Sequence, residues 1–121
     1  MSLIFPIFAL VVLFNQPLYY ERVPYIEVNA EVSAYTLSPD ETDSSPNITA
    51  SGKLATLGMV ACPEMLSFGT KVEIGGKEYI CEDRMNIRYR NTWNFDILME
   101  TKEQALKFGR QKLVIKVYQS P

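Results

Sequence analysis

The stretch TKVEIGGKEYICED, residues 70–83, constrains the fold more than any other part of this chain. Two runs of alternating apolar and polar residues flank Gly75-Gly76, and paired glycines accept the positive φ angles of a two-residue hairpin turn. Other segments share the period of two. YIEVNAEVSAYT, residues 25–36, sets Ile26, Val28, Ala30, Val32 and Ala34 against Glu27, Asn29, Glu31 and Ser33, a strand with one buried face. LGMVAC (57–62), ended by Pro63, WNFDILM (93–99) and KLVIKVY (112–118) also read as strands. PEMLSFG is expected to make one helical turn before Gly69. TKEQALKFG (101–109) carries a Thr cap, a Glu near the capping-box position, apolar residues at Ala105, Leu106 and Phe108, and a stopping glycine. The expected fold is mainly β: a small barrel of about six strands with one short helix, because closure removes exposed strand edges.

A length of 121 residues fits one domain, and 47% apolar with 21% charged residues is globular composition. A net charge of −2 provides no general basic field, so nucleic acid is not an expected partner. The chain has no histidine. Ser-His and Cys-His nucleophile pairs, imidazole bases and most zinc sites are thereby excluded, and acid–base chemistry falls to Asp, Glu, Lys, Tyr or Cys. Cys62 and Cys81 match no metal-ligand spacing. They are either one disulfide in an exported chain or two buried thiols acting as small hydrophobes.

Residues 3–14, LIFPIFALVVLF, form an unbroken apolar run too short to span a bilayer comfortably and suited to the apolar region of an export signal. No Lys or Arg precedes the run and Pro6 interrupts it, so a buried hydrophobic arm is the alternative. With the proline-punctuated linker 15–24, residues 1–24 are expected to be an export or anchor segment, giving an envelope location with membrane attachment through that segment. The barrel domain would then be 25–118. Between its first strands, LSPDETDSSPNITASG (37–52) reads as a long loop, a length usually functional or mobile.

The segment EDRMNIRYRNTWNFDIL, 82–98, sets Asp83 and Asp96 among apolar neighbours, where a carboxylate is costly. A surface loop accounts for Arg84, Arg88 and Arg90 but not for the aspartates. VSAYT (32–36), TASG (49–52), VACP (60–63), FGTKVEIGG (68–76), CEDR (81–84), FDILM (95–99) and EQALKFG (103–109) occur in the order found in the three-aspartate, or 3D, domain. The chain resembles that family over about residues 25–118. It is similar to the catalytic barrel of membrane-bound lytic transglycosylase A and, more distantly, to rare lipoprotein A and expansin barrels. The resemblance implies a double-psi β-barrel. It makes Asp83 the second family aspartate and Asp96 the third, the position that is catalytic in the transglycosylase. The first, normally followed by proline, is replaced here by Cys62 before Pro63.

What the resemblance implies chemically is cleavage of the glycosidic bond between N-acetylmuramic acid and N-acetylglucosamine in peptidoglycan, with no cofactor or metal. One acid can serve there as acid and then base, because the sugar's own 6-hydroxyl is the nucleophile. A general acid must hold its proton near neutral pH, which apolar walls or a like charge achieve. Phe95, Ile97 and Trp93 would supply the walls and Asp83 the charge. Asp96 is thus the expected general acid/base, with Asp83 tuning it or holding the sugar. Tyr35, Thr36, Thr49 and Arg84 would contact the substrate, and Trp93 or Tyr89 would stack on a pyranose face. Plainer readings stand beside these: Asp83 capping a turn and pairing with Arg84, Asp96 as a structural hydrogen-bonding group, the aromatics as core or rim. A non-catalytic glycan-binding barrel, expansin-like, is the alternative function.

Overall fold

The computed structural model describes residues 23–37 and 47–119. The expected export segment and the first part of the long loop lie outside the described residues. Among the described residues, no helix is long and apolar enough to cross a membrane. The strands are β1 (Tyr25–Tyr35), β2 (Met59–Cys62), β3 (Lys71–Ile74), β4 (Lys77–Arg84), β5 (Asn94–Leu98) and β6 (Gln111–Tyr118). A 3₁₀ turn (Ile87–Tyr89) precedes β5, and helix α1 (Lys102–Phe108) links β5 to β6. The strands close into a barrel in the order β1-β5-β2-β4-β3-β6. A small closed six-stranded barrel with one short helix is therefore the fold.

Two pairs, β1–β5 and β2–β4, are parallel, and the rest are antiparallel. Parallel neighbours need a crossover, so residues far apart in sequence meet across these pairs. The β3–β4 hairpin turns on Gly75 and Gly76, with φ of 60° and 81°, as the glycine pair requires. Pairing along β1 and β6 runs from Tyr25↔Tyr118 to Val32↔Gln111.

The barrel is filled by Ala30, Val32, Val60, Val72, Ile74, Phe95, Ile97, Ile115 and Val117, together with Cys62 and Cys81. Burial of each large apolar side chain contributes about 1.5–3 kcal/mol. The two cysteines are joined as a disulfide across β2 and β4, with Cα atoms 5.9 Å apart, which selects the bridge over two free thiols.

Some local expectations shift. PEMLSFG forms turns rather than a helical turn, and WNFDILM contributes only Asn94–Leu98 to its strand. In α1 the capping box is closed by Gln104, while Glu103 lies in the first turn near the positive helix end. Ala105 and Phe108 are half-buried, whereas Leu106 is 73% exposed. Ile26 on β1 is 43% exposed, although Val117, its partner on β6, is in the core.

Candidate functional site

Alternation along β5 puts Phe95 and Ile97 into the core and turns Asp96 outward. Its partners in register are Ser33 on β1 and Ala61 on β2. Ala61 is in turn opposite Asp83 on β4. Asp83, Ala61, Asp96 and Ser33 thus form one outward row across four neighbouring strands. The two aspartates sit two strand spacings apart, roughly 9–10 Å at the backbone. Between them lies the smallest side chain that keeps a Cβ.

Asp83 owes its place in this row to a β-bulge. Val60 pairs with Cys81 but Ala61 pairs with Asp83, so Glu82 is the extra residue. Simple alternation would give Asp83 the same face as Cys81, toward the core. The inserted residue re-aims it, as bulges do. The same shift turns Arg84 to the inner side, opposite Cys62. Its guanidinium lies 3.3 Å from Cys62 Sγ, donates to the Pro63 carbonyl at 3.3 Å and stacks 4.0 Å above the Phe68 ring.

Both carboxylates are half-buried. Asp83 accepts from the Tyr35 hydroxyl at 3.1 Å (Oδ2), and from the Ala50 and Arg84 backbone amides at 3.0 and 2.9 Å (Oδ1). This is the donor set that a charged, acceptor-only carboxylate takes. Asp96 Oδ1 accepts from Ser33 Oγ at 3.1 Å. The Tyr35 hydroxyl is held well above the ordinary phenol range, first by burial, then by the charge and hydrogen bond of Asp83, and last by the charge of Asp96. Tyr35 therefore remains a proton donor across the neutral range and senses both carboxylates.

Of the residues expected at a site, Asp83, Asp96 and Tyr35 come together. Thr49 reaches the site only through its loop: it is 6% exposed, and its hydroxyl bonds to Ser51 Oγ and the Lys53 carbonyl. Thr36 follows Tyr35 and is 2% exposed. Arg84 meets Asp83 through its backbone amide, not as an ion pair. Trp93 packs on the opposite side of β5 from Asp96, its ring 6.4 Å from that of Phe95 with planes 14° apart. Tyr89 lies between the Arg88 and Arg110 guanidiniums, 5.9 and 5.5 Å from its ring. Hydrogen bonding from Arg88 and then Arg110 lowers its hydroxyl pKa. Cys62, at the first family aspartate's position, is fully buried in the disulfide.

Two contributors escaped sequence reasoning. Ser33 could have been found from its place two residues before Tyr35 on the polar face of β1. The Ala50 amide could not, since a backbone donor leaves no compositional mark. Farther along the outward face of β5, Leu98 joins Leu37, Ala55, Thr56, Leu57 and Met99 in a cleft of about 300 Å³. A larger groove of about 650 Å³ shares Leu57, Leu98 and Met99 and runs on to α1. Neither a protein-family model nor a curated protein matches this chain.

Proposed function

We propose that the outward row is the catalytic site of a lytic-transglycosylase-like enzyme acting on peptidoglycan at the cell envelope. The observation that carries this reading is the pair of half-buried carboxylates facing one way across the small Ala61, one on β4 and one on β5. Asp96 donates its proton to the oxygen joining N-acetylmuramic acid to N-acetylglucosamine, and that bond breaks. The muramyl 6-hydroxyl then attacks the oxocarbenium-like carbon and returns a proton to Asp96, closing a 1,6-anhydro ring. Asp83, held by Tyr35 and two amides, offers a fixed negative charge beside the developing positive centre. The two clefts at Leu98 are not lined by either aspartate; in this reading they would receive a part of the glycan strand beyond the scissile bond.

Support also comes from the resemblance to the 3D family and its transglycosylase-like double-psi barrel, with which the two parallel strand pairs of this closed barrel are compatible. The same resemblance favours a second reading. Because Cys62 stands where the first family aspartate would be, the barrel could grip glycan without cleaving it. Incubating the full chain with peptidoglycan separates the two. Release of soluble fragments with 1,6-anhydromuramyl ends is the expected result; co-sedimentation with the wall and no release would mean a binder.

A further inference from the structure

The barrel core has no use for Glu82. It is the bulged residue of β4, only 3% exposed, and its carboxylate meets Lys53 Nζ at 2.5 Å, while the lysine side chain is 63% exposed. Burying a charge is costly unless a partner offsets it, and an apolar residue at a covered position avoids that cost. The pair therefore calls for a role beyond burial.

That role is visible in what Lys53 belongs to. Residues 47–55 fold back on themselves, with Ile48 bridged to Leu54 and the Ala55 amide on the Asn47 carbonyl at 2.8 Å. Within the tip, the Thr49 amide bonds to the Lys53 carbonyl at 2.8 Å and the Gly52 amide to the Thr49 carbonyl at 2.9 Å. The loop is thus a rigid unit. Its polar attachments to β4 are the ion pair, a bond from the Ser51 amide to the Glu82 carbonyl at 3.1 Å, and the bond from the Ala50 amide to Asp83. Two of the three fall on Glu82, next to the carboxylate that the third serves.

We propose that Glu82, through Lys53, is a positioning residue that clamps the 47–55 loop to β4 and so keeps the Ala50 amide on Asp83. Its importance to catalysis rests on the functional reading above; the clamp itself does not. Lys53→Met in the full chain breaks the clamp. The double variant Lys53→Met/Glu82→Leu breaks it without leaving an unpaired buried charge, and Lys53→Arg preserves it. Amide hydrogen exchange at Ala50, with Phe95 and Ile115 as core controls, and the titration of the Tyr35 phenol are read in each. Both clamp-breaking variants should speed Ala50 exchange at least about tenfold with core exchange unchanged, a local opening rather than global unfolding. Tyr35 should titrate at lower pH as Asp83 moves off its hydroxyl, and Lys53→Arg should restore both readouts. Wild-type behaviour of Ala50 and Tyr35 in the double variant would overturn the proposal. A response at Ala50 and Tyr35 in a protein that releases no glycan fragments would keep the clamp and remove the enzyme.

Discussion

The inner and outer faces of β2, β4 and β5 are built from alternating residues of the same strands, yet they follow different rules. Inward, Val60, Cys62, Cys81, Phe95 and Ile97 are closely packed and tied by a disulfide. Outward, Asp83 and Asp96 flank the buried Ala61 in a row whose order comes from hydrogen bonds of β1 and the 47–55 loop. The inner face pins the backbone, and the outer carboxylates are held at fixed spacing by their hydrogen bonds, with Ala61 between them covered to 4% exposure. A rigid scaffold under a partly solvated site is how small barrels combine stability with chemistry.

The contrast can be broken from either side. Phe95→Ala should have the largest effect, about 3–5 kcal/mol of lost stability by denaturant unfolding, because it empties the middle of the core. Cys62→Ala/Cys81→Ala removes a bridge spanning 19 residues and should cost about 3 kcal/mol. The surviving native state should still show the raised Tyr35 titration, since the outer row does not depend on the sulfurs for its hydrogen bonds. Ala61→Leu puts bulk between the carboxylates. It should cost about 1–3 kcal/mol and, unlike the core variants, abolish glycan fragment release in protein that remains folded.

Tyr35→Phe is the mildest, about 1.5 kcal/mol for one lost hydrogen bond to a half-exposed carboxylate. It also has a pH signature. The raised folded-state pKa of Tyr35 means its contribution is fully present below the ordinary phenol value of 10.0 and is lost as pH rises through the folded-state value. Denaturation midpoints measured against pH should therefore fall less steeply above about pH 10 in Tyr35→Phe than in wild type.

The sequence carried the inner face more openly than the outer. Period-two runs and Gly75-Gly76 announced β1, the hairpin and β6, and the barrel followed from strand number. The row did not follow, because alternation assigns faces only while the ladder is unbroken. One bulge at Glu82 reverses the parity of Asp83 and Arg84. As consecutive strand residues these two face opposite sides, so they meet through a backbone bond and not the ion pair of the plainer reading. The cysteine pairing was hidden for a related reason: parallel β2–β4 contact depends on a crossover that no local pattern reveals. Trp93 reads as a sugar platform by residue type, but two-residue alternation puts it on the Phe95 side of the segment, where the two rings stack and Asp96 faces away.

The most direct measurement compares peptidoglycan products released by wild type and by Asp96→Asn protein of matched thermal stability. The account predicts 1,6-anhydro fragments from wild type and a yield lower by about 100-fold or more from the variant, the scale of a lost general acid. Equal yields from the two proteins, or none from wild type, would contradict it.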